Sequence, residues 1–158
     1  MMTVYARMPS QRETSMVGYK LLVRCLVYAG ALPFVGTALL VLLPRLLPAL
    51  DATALFTSYA LVILSFLCGV HWGQGLAVQG RAPLNLFVLS NALVVLLWLA
   101  HAFLSATVFL ALVLLELLLL LWIDRRLFSN GLIEPWYYRT RIRITLLVFI
   151  CTSLVLLS

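Results

Sequence analysis

The most costly residue in this chain is Glu116, which stands in the middle of a leucine-rich apolar run. In a lipid-spanning helix an ionised carboxylate costs roughly 2.5 to 3.5 kcal/mol, so it must face other helices, be protonated or be paired. Ser65 and Asn91 fall at nearly the same depth in neighbouring apolar runs, and we expect one of them to hydrogen-bond Glu116. This intramembrane polar layer indicates either a proton or cation site, or a neutral structural carboxyl.

A second set of residues combines histidine, tryptophan and arginine at the ends of apolar runs. Arginine suits bidentate binding of phosphate or carboxylate, and Arg139 and Arg143 share one helix face. The alternative is simple anchoring, because tryptophan and arginine both favour the headgroup region of a bilayer. We predict an amphiphile-headgroup site formed by His71, Trp72, Arg81, Trp136, Arg139 and Arg143.

Metal and covalent chemistry find little support in the sequence. His71 has one histidine counterpart, His101, which is predicted on the opposite side of the bilayer, so a bis-histidine haem is not expected. The three cysteines, Cys25, Cys68 and Cys151, lie in apolar segments without metal-binding spacing. Phosphate-loop, zinc-protease and Ser-His-Asp patterns are missing as well. We therefore expect no catalytic residues, no metal, no cofactor and no enzymatic activity.

A stripe of small residues, Ser65, Gly69 and Gly73, recurs every four positions in one apolar run. Between helices in lipid, such a stripe allows close backbone approach and supplies packing energy. We predict a helix-packing face made by Gly69 and Gly73, with Gly30 in the first apolar run as its partner.

The elements that position these residues are predicted from hydropathy. The chain has 158 residues, of which 65% are hydrophobic and 10% charged, and a mean hydropathy of +1.13. Soluble domains are about one quarter charged, so a water-soluble fold is excluded. About 20 helical residues are needed to cross a bilayer, and five runs approach that length: 21–43, 52–71, 84–100, 106–123 and 144–158.

The basic residues segregate between the two sides of this five-span arrangement. Of eleven lysines and arginines, only Arg45 falls on one side, and the other ten fall on the side of the N-terminus. Basic residues in short loops stay cytoplasmic. The sequence thus predicts an all-α, polytopic bundle of five transmembrane helices, N-in and C-out, with a basic cytoplasmic tail at 1–20 and a membrane domain at 21–158. The net charge of +6 indicates attraction to anionic lipid headgroups, and no nucleic-acid partner is expected.

Three segments carry a resemblance to a known family. They are Ser65-Phe66-Leu67-Cys68-Gly69-Val70-His71-Trp72-Gly73, with Ala29-Gly30-Ala31-Leu32-Pro33-Phe34 before it and Trp136-Tyr137-Tyr138-Arg139-Thr140-Arg141 after it. Together they resemble the domain-of-unknown-function 3429 family (transmembrane protein 69-like). The resemblance implies a small multi-pass protein of the bacterial inner membrane, or of the mitochondrial inner membrane in a eukaryote, and it implies no reaction.

The expected function is that of a non-enzymatic accessory or assembly protein with a cytoplasmic-side lipid or quinone headgroup site. A membrane protein complex is a possible partner. Two alternatives stay open: a small proton-coupled transporter that uses Glu116, and a haem or quinone redox subunit.

Overall fold

Helices make up most of the described chain. The computed structural model describes residues 9–78 and 80–158, with side chains from residue 16 onward, and no strand occurs in these ranges. The helices are α1 Pro9–Ala29, α2 Leu32–Leu42, α3 Ala52–Val78, α4 Leu86–Phe103, α5 Ala106–Ser129 and α6 Pro135–Leu156. The predicted all-helical membrane bundle is confirmed. Of the basic residues counted above, Arg7 lies outside the described residues, and Arg12 lies in α1 with its side chain outside them.

Four of the described segments are long and apolar enough to cross a bilayer: Met16–Leu42, which joins part of α1 to α2, and the helices α3, α4 and α5. The fifth predicted span lies in α6, where Arg139, Arg141 and Arg143 raise the charge of the first half. The span count of five and the N-in orientation therefore stay predictions.

The first predicted span is broken between α1 and α2. Pro33 occupies the first turn of α2, and proline lacks the N–H and clashes with the carbonyl four residues earlier, which interrupts a continuous helix. The break is compensated from α3, because the hydroxyl of Tyr59 donates to the carbonyl of Gly30 at 2.7 Å. Such compensation is needed in lipid, where water is absent.

Several helices extend beyond the predicted spans. α3 continues past His71 to Val78, α5 continues past Ile123 to Ser129, and α6 begins at Pro135 rather than near Ile144. The predicted division of the long apolar run is confirmed, since α4 ends at Phe103 and α5 begins at Ala106, with the Ser105 side chain accepting from the N–H of Val108. The predicted boundary between tail and first span does not coincide with a helix end, because α1 already begins at Pro9.

The bundle has two ends of different character. At the first, α2 and α4 finish while α3 and α5 begin, and the buried core there is apolar, with Phe34, Phe56 and Phe109 fully or almost fully buried. We call it the apolar end. At the second, α3 and α5 finish and α6 begins, and Asp124 and Arg141 are buried there. We call it the basic end.

Candidate functional site

A carboxylate lies buried between a histidine and an arginine where α3, α5 and α6 meet at the basic end. Asp124 Oδ1 lies 3.1 Å from His71 Nε2, and Arg141 Nε donates to Asp124 Oδ2 at 2.7 Å. Asp124 is 0% exposed, His71 2% and Arg141 4%. A buried charge is tolerated only when it is paired and hydrogen-bonded. These three residues, here called the ion cluster, therefore fix how the three helices meet.

The second ring nitrogen of His71 also faces an acceptor. His71 Nδ1 lies 2.9 Å from the carbonyl oxygen of Leu67, one turn earlier in α3. The ring is thus held at both nitrogens, between a backbone carbonyl and the carboxylate of Asp124. Contacts of this kind fix the orientation and the protonation pattern of an imidazole.

A groove of about 1010 Å³ runs between α1 and the first turns of α6. Trp136, Arg139 and Arg143 line it from α6, and Arg24 lines it from α1. The guanidinium carbon of Arg24 lies 5.6 Å, and Lys20 Nζ 5.9 Å, from the centre of the Trp136 ring. Both cations are within the range of cation–π attraction. We call the set Arg24, Trp136, Arg139 and Arg143 the basic groove.

The basic groove contains a hydrogen-bond donor that lacks an acceptor. Trp136 Nε1 is buried and has no hydrogen-bond partner among the side chains and backbone that the structure describes, and an indole nitrogen can only donate. Arg139 and Arg143 are exposed beside it. Glu134, which also lines the groove, supplies one negative charge against three arginines. The arrangement can bind an anionic group, through charge and through the free indole N–H.

The other residues of the predicted headgroup site lie elsewhere. His71 belongs to the ion cluster. Trp72 packs edge-on against Phe87 of α4, with ring centres 5.5 Å apart. Arg81 lies in the α3–α4 connection, where its Nε donates to the carbonyl of Val78 at 3.2 Å. The prediction of one site was wrong in this respect, because His71 is buried against Asp124 of α5, Trp72 packs on α4, and Arg81 lies beyond the end of α3.

The polar layer around Glu116 has a different partner from the one predicted. Glu116 is 6% exposed, and its Oε1 accepts a hydrogen bond from Cys68 Sγ at 3.4 Å. Asn91 instead donates to the carbonyl of Phe87. Asn91 and Ser65 line a small cavity together with Cys68, so they lie near the layer without bonding Glu116. The prediction of Ser65 or Asn91 as the partner was wrong, because depth alone does not show which side chain faces Glu116; that side chain is Cys68.

Among the described residues, the predicted glycine stripe does not pack against another helix. Gly69 and Gly73 are exposed, and a Cβ added at either position would meet nothing within 4 Å. Gly30 lies at the break between α1 and α2. The close approach occurs at Gly75, where a Cβ would lie 3.2 Å from the Phe87 ring and 3.3 Å from Leu86 Cβ. The partner of this tight contact is α4 rather than the first span.

Two residues of the ion cluster, Asp124 and Arg141, are missing from the predicted site. A signal for Arg141 exists in the sequence, because Arg139 and Arg143 share a face of α6 and a residue midway between them points to the opposite face. Asp124 directly follows the predicted span four, 106–123, and so was expected in a connection, although α5 continues past it. Among the described residues no group of three His, Cys, Asp or Glu could hold a metal ion.

Long apolar helices packed around a shared core define an integral helical membrane protein. The family described as protein of unknown function (DUF3429) matches residues 20–157 of this chain. The chain belongs to that family, which confirms the resemblance found in the three sequence segments. No curated protein and no solved structure matches the chain.

Proposed function

We propose that this protein is a non-enzymatic accessory protein of a bacterial inner or mitochondrial inner membrane, oriented N-in, which binds an anionic amphiphile headgroup in the basic groove. The single observation that carries the proposal is the buried Trp136 N–H without an acceptor, placed beside Arg24, Arg139 and Arg143. A phosphate oxygen can accept from the indole while the arginines neutralise its charge.

The character of the groove supports binding rather than turnover. Its polar lining consists mainly of cations and the indole, and His71 lies in the ion cluster, away from it. Arginine and tryptophan beside an apolar wall are the combination that holds a headgroup at the membrane surface. The wall is supplied by Leu21, Tyr28 and Leu32 of the first two helices, which would contact the upper part of the acyl chains. An accessory role follows if the bound lipid bridges this protein to a larger complex.

Native mass spectrometry with a matched control tests the groove. Arg139→Ala/Arg143→Ala removes two exposed arginines from the groove, and Arg125→Ala/Arg126→Ala removes two exposed arginines that do not line it. Each basic residue near an anionic surface contributes about 1 kcal/mol, so the first variant should hold phosphatidylglycerol or cardiolipin about thirtyfold more weakly. The control should retain both. Equal retention by the two variants would remove the proposal.

The accessory role has its own experiment. Affinity purification of the tagged protein in a mild detergent should recover a stable membrane complex, and Arg139→Ala/Arg143→Ala should reduce that recovery together with the bound lipid. A protein that is purified alone from its native membrane, with its lipid still bound, contradicts the accessory role and leaves the headgroup site standing.

A further inference from the structure

A second cavity lies on the face of α6 opposite the basic groove, between α1, α3 and α6. Its volume is about 260 Å³, and its wall is mainly apolar, with side chains such as Val27, Phe34 and Val70. Three polar residues, Tyr137, Arg141 and Thr145, line it from α6. They follow one another at intervals of four positions, so they lie on one face of the helix, each one turn from the next. The cavity therefore offers an apolar space with a polar strip along one wall.

Arg141 and Thr145 each hold a buried donor that nothing in the described structure uses. Arg141 Nη2 and Thr145 Oγ1 are buried and have no hydrogen-bond partner among the described residues. The contrast with other threonines of α6 is clear, because Thr140 and Thr152 each donate to the carbonyl one turn earlier, at 2.8 Å. Buried polar atoms are nearly always paired, and each exception calls for a reason. A ligand with two acceptor oxygens in this cavity would offer one oxygen to each atom.

The chemistry of the Arg141 side chain favours a carboxylate as the acceptor. Its Nε already donates to Asp124 Oδ2 at 2.7 Å, and its unpaired Nη2 belongs to the same planar guanidinium. A guanidinium makes hydrogen bonds to an ionised acceptor that are about twice as strong as those to a neutral one, and it suits the two oxygens of a carboxylate. A carboxylate therefore fits these donors better than the single oxygen of a neutral carbonyl.

The cavity opens toward lipid. Leu26 of α1 and Phe66 of α3 line it and are 64% and 66% exposed, so its mouth lies on the side of the bundle between these helices. Drug-sized ligands occupy about 300 to 1,000 Å³, and this smaller space suits one headgroup and the first part of one chain. A two-chain phospholipid exceeds it.

We propose that this cavity binds a single-chain carboxylate amphiphile, a fatty-acid anion. Its carboxylate accepts hydrogen bonds from Arg141 Nη2 and Thr145 Oγ1, and its chain passes between Leu26 and Phe66 into the bilayer. The site is separate from the basic groove, and the two lie on opposite faces of α6, the groove on that of Arg139 and Arg143.

Binding of radiolabelled palmitate to the protein in phosphatidylcholine nanodiscs, with empty nanodiscs subtracted, tests this site. Thr145→Val removes the free hydroxyl, and Thr152→Val is the matched control on the same helix, with a hydroxyl that is already bonded. Because a hydrogen bond to a charged acceptor is lost, Thr145→Val should weaken binding about tenfold. Val70→Phe, which fills the cavity, should abolish binding, and Thr152→Val should leave it unchanged. Equal melting temperatures of the two threonine variants verify that the fold is retained.

The ligand class and the location are tested in the same assay. Methyl palmitate, which has the chain without the charge, should bind at least tenfold more weakly than palmitate. Equal binding of the two compounds would overturn the carboxylate assignment. So would a short-chain quinone that displaces bound radiolabelled palmitate at a lower concentration than unlabelled palmitate does. Arg139→Ala/Arg143→Ala should not change palmitate affinity, so a loss in that variant, with Thr145→Val unaffected, would place palmitate in the basic groove and overturn the second site.

Discussion

The two ends of the bundle are held together in different ways. At the apolar end, Phe34 packs edge-on against Phe56 and Tyr59, with ring centres 5.4 and 5.0 Å apart. At the basic end, the contact between α3, α5 and α6 depends on the ion cluster of His71, Asp124 and Arg141. In a membrane protein, apolar side chains stabilise a helix contact through close-fitting shapes, because lipid is as apolar as the core. Buried charges are different, because each must be compensated by a named partner.

This difference indicates that the side chains at the basic end do more than hold the helices together. A buried ion pair is often no more stabilising than apolar residues of the same volume, although removing one partner is costly. Leucine side chains of similar volume would therefore stabilise the basic end about as well as the ion cluster does. The ion cluster does hold Arg141 beside the apolar cavity, and the same turns of α6 present Arg139 and Arg143 to the basic groove. The basic groove lies at this end, and the second cavity extends from Arg141 toward Phe34.

The largest expected effect is the loss of stability when the buried carboxylate at the basic end is neutralised, compared with an exposed carboxylate at the apolar end. Asp124→Asn leaves the buried guanidinium of Arg141 without its counterion and should cost about 3 to 5 kcal/mol of unfolding free energy. Asp51→Asn is the matched change at the apolar end, where the carboxylate is exposed and accepts only from the N–H of Ala54. It should cost less than about 1 kcal/mol. Denaturant unfolding in detergent measures both, and equal losses would contradict the contrast between the ends.

A smaller effect is expected from adding one methyl group to α3. Gly75→Ala would bring its Cβ within 3.2 to 3.3 Å of α4, and overpacking of this kind costs about 1 to 3 kcal/mol. Gly69→Ala and Gly73→Ala enter open space and should be neutral or slightly stabilising, because alanine favours a helix by up to about 1 kcal/mol. Thermal unfolding of the three variants ranks them. A Gly69→Ala variant that unfolds more readily than Gly75→Ala would restore the packing stripe predicted from the sequence.

The smallest effect is expected at Glu116. Glu116→Gln keeps the size of the side chain and retains an acceptor for the weak hydrogen bond from Cys68. It should change unfolding by less than about 1 kcal/mol and should leave lipid binding unchanged. A proton-coupled transporter would behave differently, because the variant would lose proton-linked uptake in proteoliposomes while it stayed folded. That result would favour the transporter over the accessory role.

Much of the fold could be predicted, because it depends on the length and hydropathy of whole segments. The division at His101–Ser105 followed from the limit that bilayer thickness sets on one helix, and the helix ends at Phe103 and Ala106 agree with it. The ends of α3, α5 and α6 were harder to predict from the sequence. These helices continue past the apolar runs, since a helix at the membrane surface can extend with polar residues at no cost in desolvation.

The candidate site was only partly accessible from the sequence. Trp136, Arg139 and Arg143 were predicted together and line one groove, because they are close in sequence on one helix. The neighbours contributed by other helices, such as Arg24 on α1 and Asp124 on α5, depend on how the helices rotate and pack. Hydropathy carries no information on that rotation. Helical periodicity implied that Arg141 points away from the face of Arg139 and Arg143. It did not imply that Asp124 is its partner.

The proposed functional surface of this protein is the basic groove at the beginning of α6. The most direct measurement is photo-crosslinking of the protein in nanodiscs with a diazirine-bearing phosphatidylglycerol, followed by peptide mapping. We predict that adducts concentrate in residues 21–32 and 134–143, the two segments that contribute side chains to the groove, and that Arg139→Ala/Arg143→Ala removes them. Adducts spread evenly over the lipid-facing surfaces of α4 and α5, unchanged in that variant, would contradict the account.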